Sequence, residues 1–143
     1  MVPLLCLADA TKISLAIQRA LYPASHFQQL HAVHDLPQPI IRLCAGAKET
    51  LADPGAKWQV TDVLTGESLP FRRMIWAASD GDYYVVHYER GGYAHSYHIL
   101  VAKLEQSTAT ILWRGVGGPL KDYPAFLKAL EQGDLDDRLE YGH

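Results

Sequence analysis

The chain has 143 residues, a length that suits one domain and can bury a core without disulfides or metals. Hydrophobic residues make up 48% and charged residues 20%, which excludes a disordered chain. The net charge of -3 lacks the basic excess of nucleic-acid-binding domains, so we expect no nucleic-acid partner.

The first ten residues hold a short apolar run with no Lys or Arg before it. A secretory signal needs a charged start and a longer apolar run. No apolar stretch reaches the length of about 20 residues that a membrane span needs. Cys6 and Cys44 form neither a CxxC pair nor a metal-ligand spacing. We therefore expect a cytoplasmic protein with reduced cysteines and no membrane partner.

Two helices are predicted before residue 40. The first has an apolar face with helical spacing, formed by Ile13, Ala16, Ile17, Ala20 and Leu21. Asp9 or Thr11 caps it, and Pro23 ends it. A second short helix is predicted after Ser25, closed by Pro37 and Pro39. Its apolar side would carry Phe27, Leu30, His31 and His34.

The stretch from residue 40 to 56 combines strand and loop signals. Residues 40–44 are apolar with β-branched members and indicate a short strand. Residues 45–56 contain Gly46, Pro54 and Gly55 and read as a loop, with one helical turn at 48–52 as an alternative.

The second half predicts a sheet. Five strand candidates cover residues 57–64, 69–79, 82–90, 93–104 and 108–114, all rich in β-branched and aromatic residues. The dipeptides Asp80-Gly81 and Gly91-Gly92 favour two-residue hairpin turns. Consecutive hairpins predict an up-and-down antiparallel meander over residues 57–114.

A last helix follows the sheet. Residues 115–118 are rich in glycine and predict a flexible segment that leaves the last strand. A phosphate-binding loop is the alternative, but it would need a Lys-Ser/Thr pair that is missing here. Asp122 is expected to cap the helix, Pro124 fits its first turn, and Gly133 fits just past its end. The whole chain 1–143 is thus predicted to be one domain, with residues 1–10 and 134–143 frayed.

Two-residue turns would also fix which residues face each other. The first turn places Arg72 opposite Glu89, and the second places His87 opposite Ser96 with His98 diagonal to it. A His beside a carboxylate can act as a general base, so His87, Glu89 and His98 are the catalytic candidates. Cross-strand pairs of this kind are also routine sheet stabilisers, and we favour that interpretation.

The same register predicts one sheet face that is dense in aromatic rings. Its ligand-binding candidates are Arg73, Tyr84, Tyr88, Tyr93, His95 and Tyr97. Tyr and His join an apolar body to a polar tip, which suits either a half-exposed face or a cleft for a flat ligand. The seven histidines match no metal motif such as HExxH, so we expect no metal and no cofactor.

The sequence therefore predicts an α+β fold: a five-stranded antiparallel meander with helices from both ends packed on one face. For function, it favours a non-enzymatic binding or protein-interaction module that presents the aromatic face to a small molecule or a protein partner. The alternative is a small hydrolase or isomerase using His87 with Glu89 or His98. A structural subunit with an obligate interface is a third hypothesis, and the sheet edges leave a homodimer open.

Overall fold

The computed structural model describes residues 13–46, 50–59, 69–91 and 95–137. Its helices are α1 (Leu15–Ala20), α2 (Gln38–Ala45) and α3 (Tyr123–Gln132), with 3-10 turns at Ala24–His26 and Val33–Asp35. Its strands are β1 (Gln28–Leu30), β2 (Arg72–Ser79), β3 (Tyr83–Arg90), β4 (Ser96–Glu105), β5 (Thr108–Gly117) and β6 (Asp136–Asp137). These six strands form one antiparallel sheet in chain order, which confirms the predicted α+β meander. No helix in the described ranges is long and apolar enough to cross a membrane.

The first edge of the sheet differs from the prediction. Residues 57–59 are not in a strand, and the rest of the predicted strand 57–64 lies outside the described residues. The edge beside β2 is instead occupied by β1, where a helix was predicted. That helix prediction was wrong because the open edge of β2 supplies backbone partners to residues 28–30, which outweighs a weak local pattern.

Helix α2 replaces the strand that was predicted at residues 40–44. Pro39 stands in its first turn, where a missing N–H costs nothing. Ile40 and Cys44 are four residues apart and both fully buried, so they form one helical stripe. A short apolar run fits either a strand or a buried helix, and here the i, i+4 stripe decides.

The terminal helices share one sheet face, as predicted. Ile13 and Leu21 flank α1, and they join Phe126 of α3 in one buried cluster with Trp76 and Trp113. The opposite face, which the sequence suggested was half exposed, is covered by α2. There, Ile40 and Cys44 join a second cluster with side chains of β2 to β5. The sheet is therefore the middle of three layers.

The caps of the two terminal helices differ in how well they were predicted. The Asp122 side chain accepts a hydrogen bond from the Ala125 N–H, and Gly133 adopts a left-handed conformation past the end of α3, which confirms both predictions. The N-cap of α1 is Ser14, whose hydroxyl accepts from the Ile17 N–H at 3.2 Å. The predicted caps Asp9 and Thr11 lie outside the described residues.

Candidate functional site

The two central hairpins have longer loops than predicted. Between β2 and β3 the carboxylate of Asp80 accepts hydrogen bonds from the backbone N–H groups of Asp82 and Tyr83 at 2.9 and 2.8 Å. Ser79 pairs with Tyr84, so four residues, 80–83, lie between the first paired residues of the hairpin. A bulge between Met74 and Trp76 then shifts the register again.

Between β3 and β4 the loop has five residues, so Arg90 pairs with Ser96, Tyr88 with His98 and His87 with Ile99. Relative to a two-residue turn, the register slips by an odd number, which sends the side chains of β4 to the opposite faces. The predicted pairing of His87 with Ser96 was therefore wrong.

The aromatic ligand-binding candidates consequently do not share a face. Tyr84 and Tyr88 are buried under α2. Arg73 contacts Glu89 on the opposite face, where His95 and Tyr97 also lie with their ring centroids 4.9 Å apart. Tyr93 lies outside the described residues. The single ring-rich face is replaced by two separate groups on opposite faces of the sheet.

His87 is held entirely by backbone groups. Its Nδ1 atom donates to the His98 carbonyl at 2.9 Å, and its Nε2 atom accepts from the Leu120 N–H at 3.0 Å. The ring is 1% exposed, and burial lowers the pKa of His87. A general base needs a free lone pair, and the lone pair of this neutral imidazole is occupied. The geometry therefore favours a structural role for His87.

Glu89 lies at the centre of a polar group on the face that α1 and α3 cover. One carboxylate oxygen accepts from Arg73 Nε and the other from His95 Nε2, both at 2.8 Å. Arg73 also donates to the Ala56 carbonyl, and its guanidinium lies 5.0 Å from the centre of the Trp58 ring. Arg73 takes the place that was predicted for Arg72 because the bulge shifts β2 by one residue.

The third catalytic candidate, His98, lies on the α2 side of the sheet. Its ring stacks on Tyr88 with centroids 5.2 Å apart, and its Nε2 atom lies 2.7 Å from Ser96 Oγ. Arg72 also points to this side, with its Nη1 atom donating to the Cys44 carbonyl at 3.0 Å and its guanidinium 5.6 Å from the Tyr88 ring centre. His87 and His98 therefore face opposite sides and cannot share a metal ion.

Metal ligation has no support in the described ranges, where no three His, Cys, Asp or Glu side chains converge. Cys44 is a free, fully buried thiol, and burial raises its pKa to about 12. Cys6 lies outside the described residues.

A cavity of about 380 Å³ opens at the β2–β3 loop. Its lining comes from the loop, the adjoining ends of β2 and β3, β1 and the two 3-10 turns: His26, Gln28, Leu30, Asp35, Ser79, Asp80, Gly81 and Tyr84. Only Tyr84 was among the predicted site residues. His26, Gln28, Leu30 and Asp35 escaped prediction because β1 was taken for a helix, and β1 brings them to the loop. Asp80 and Gly81 were predicted only as a hairpin turn.

The chain was compared with protein-family models, curated proteins and solved structures, and none of them matches it.

Proposed function

We propose that this protein is a small-molecule-binding domain whose ligand is a small organic cation, held in the cavity at the β2–β3 loop. The observation that carries the proposal is the cavity itself, with two carboxylate side chains, Asp35 and Asp80, in its wall. Its volume of about 380 Å³ falls within the range of ligand pockets, which is about 300–1,000 Å³.

The charges in the wall favour a cation. Asp80 uses one carboxylate oxygen, Oδ1, for both loop amides, which leaves Oδ2 for a ligand. Asp35 is exposed, and its Oδ1 atom lies 3.4 Å from the ring nitrogen of His34. Ligand N–H groups that donate to ionised carboxylates form the stronger class of hydrogen bond. The wall also carries the Tyr84 ring, which can attract a cation through its face.

The test is a thermal-shift and calorimetry series with spermidine, putrescine and choline at fixed ionic strength. A ligand that binds only the folded state must raise its stability, so a saturable increase in Tm is expected for at least one amine. Asp80→Asn keeps the Oδ1 acceptor that shapes the loop but removes the charge. Losing one charged hydrogen bond should weaken binding about tenfold or more.

The matched control is Asp82→Asn, which makes the same charge change in the same loop at an exposed side chain outside the cavity wall. This variant should bind like the wild type. Equal amine affinity in Asp80→Asn and Asp82→Asn, or no Tm response to any of the three amines, would contradict the proposal.

A hydrolase is the second candidate, and one contact favours it. Ser96 Oγ lies 2.7 Å from His98 Nε2, the distance of a nucleophile and its base. A sulfonyl fluoride tests it, because an activated serine forms an O–S bond and releases fluoride. Labelling at Ser96 that His98→Gln abolishes, with Ser107 unlabelled, would support an enzyme. Absence of label at Ser96 would contradict it.

A protein-interaction surface or a homodimer has less structural support. The outer strands β1 and β6 are only three and two residues long. Because β6 pairs with β5 only at Gly115 and Val116, residues 108–114 of β5 have no paired strand on their outer side among the described residues, and an interface has to be judged there by its apolar surface. Among the described residues, the exposed large hydrophobic side chains are Leu15 and Tyr22, too few for a large apolar patch. Sedimentation at micromolar concentration should therefore give a monomer.

A further inference from the structure

A second group of charges lies on the α2 side of the sheet, at the end away from the cavity. Arg72, Arg90 and Ser96 form one row across β2, β3 and β4. Arg114 reaches the same group from β5, where it pairs with Leu100. Paired residues in neighbouring strands project to the same face, so the three guanidinium groups share one side of the sheet.

Two of these arginines have spare hydrogen-bonding capacity. The Nη1 atom of Arg114 is buried and has no hydrogen-bond partner in the structure. The ion pairs of the described residues involve Arg73, His34 and His95, and neither Arg90 nor Arg114 takes part in one. Buried donors are almost always satisfied in folded proteins, so this guanidinium N–H has room for an acceptor oxygen, supplied by solvent or by a ligand.

The groups nearby do not neutralise the arginines. Asp136, opposite Val116 on the same side of the sheet, forms no ion pair with Arg114 among the described residues. Burial raises the pKa of the Cys44 thiol to about 12, and burial also raises the pKa of the Tyr88 hydroxyl, so both groups are protonated at neutral pH. The pKa of Arg72 is lowered by its burial and by the positive charges of Arg90 and Arg114, which places the three cations within electrostatic reach of one another.

Arg72 has a structural task of its own. Its Nη1 atom donates to the Cys44 carbonyl in the last turn of α2, a position that favours a cation. Gly46 makes room for the guanidinium, since a Cβ there would lie 2.8 Å from Arg72 Cζ, and its φ of 73° also suits glycine. Arg90 and Arg114 are thus the two groups available to a ligand.

We infer that Arg90 and Arg114 bind an oxyanion, the phosphate or carboxylate group of a small ligand, on the α2 side of the sheet. The planar guanidinium fork matches the paired oxygens of either group and can bind them bidentately. Both arginines are half-buried, so the ligand can be reached from solvent and yet be partly shielded from it. The Ser96 hydroxyl, next to Arg90 in register, is a further hydrogen-bonding group for the same anion.

This site is separate from the proposed amine cavity. Tyr84 and Arg90 are six residues apart on β3, which is about 20 Å at about 3.3 Å per residue. Either site can therefore fail its test without affecting the other.

The test measures the Tm and the calorimetric heat of the full chain with inorganic phosphate, phenyl phosphate and acetate, each against chloride at equal ionic strength. A saturable Tm increase is expected with at least one of the three. A phosphate ligand is indicated if the two phosphates bind more tightly than acetate, and a carboxylate ligand if the order is reversed. Arg90→Gln and Arg114→Gln should each weaken binding at least tenfold.

The matched control is Arg42→Gln, which removes the same charge from the exposed side of α2 and should bind the anion like the wild type. If Arg114→Gln does not fold, as judged by circular dichroism, Arg90→Gln at its half-buried position provides the same test. Equal affinity in Arg90→Gln and Arg42→Gln, or no saturable response of the wild type to any of the three anions, would overturn the inference.

Discussion

The backbone N–H of Leu120 donates a hydrogen bond of 3.0 Å to His87 Nε2, which joins the middle of the sheet to the segment that enters α3. The Leu120 carbonyl in turn accepts from Trp76 Nε1 at 2.9 Å. Both backbone polar groups of Leu120 are thus bonded to side chains of neighbouring strands. Because the other ring nitrogen of His87 donates to the His98 carbonyl, the imidazole is fixed as the neutral Nδ1–H tautomer.

This arrangement predicts a pH dependence of stability. Burial lowers the pKa of His87 in the folded state, whereas the unfolded chain has the ordinary value of about 6.5. The unfolded state therefore binds the additional proton, and stability is fully present above about pH 6.5 and declines as the pH falls below it. The slope from one such group is at most about 1.4 kcal/mol per pH unit. Urea unfolding between pH 5 and pH 7.5 measures it.

His87→Gln should flatten that slope and also lower the free energy of unfolding by about 1–3 kcal/mol, because buried backbone groups lose their partners. His31→Gln, at an exposed position, should leave the slope unchanged. The assignment fails if the pH slope is the same in the wild type and in His87→Gln.

Glu89 supports a second prediction. Its side chain is 8% exposed and bonds to two basic side chains, Arg73 and His95. Glu89→Gln keeps the shape but loses the charge, and hydrogen bonds to charged groups contribute about 1.5–3 kcal/mol. We expect a fall in the free energy of unfolding of about 2 kcal/mol, measured by urea denaturation at pH 7. Glu105→Gln, on an exposed side chain, should change it by less than about 0.5 kcal/mol.

A double-mutant cycle with Arg73→Gln separates the pair from general disruption. Directly bonded residues should show a coupling energy of about 0.5–3 kcal/mol. Strictly additive effects of Glu89→Gln and Arg73→Gln would show that the 2.8 Å contact contributes nothing to stability.

Two glycines at the end of β5 should respond differently to substitution. A Cβ at Gly115 would lie 2.1 Å from the buried Trp113 ring, whereas a Cβ at Gly118 meets nothing within 4 Å. Gly115→Ala should therefore destabilise the fold by about 1–3 kcal/mol through overpacking. Gly118→Ala should be close to neutral, and similar thermal stability of the two variants would contradict this account.

The same glycines show what the sequence could and could not reveal. Residues 115–118 were predicted to be a flexible exit, but β5 continues to Gly117. The reason for Gly115 is the position of the Trp113 ring, which depends on the packing of α1 and α3 against the sheet. Composition alone marks a glycine as permissive, and only the tertiary contact shows why its missing side chain is required.

The hairpin loops also show which features of the candidate site the sequence leaves open. Asp80-Gly81 was correctly placed in a turn, but its carboxylate bonds to two amides and lengthens the loop from two residues to four. An added pair of loop residues leaves the side chains on the faces that were predicted. The five-residue loop before Ser96 instead moves the side chains of β4 to the opposite faces of the sheet. The positions of β2 to β5 and the caps of α3 follow from local pattern, but the membership of each face depends on loop lengths that local pattern leaves open.

The Arg114 guanidinium is expected to lower the stability of the fold when no ligand is bound. Its unpartnered, buried Nη1 atom should cost about 1–3 kcal/mol in desolvation. Arg114→Met keeps an unbranched apolar chain and removes that group, so the variant should be as stable as the wild type or more stable by about 1 kcal/mol in chloride buffer. Saturating phosphate should reverse the order, because only the wild type retains both guanidinium groups of the anion site. Arg42→Met, at an exposed position, should leave both measurements unchanged. Marked destabilisation of Arg114→Met in chloride would show that the guanidinium is already satisfied within the folded chain.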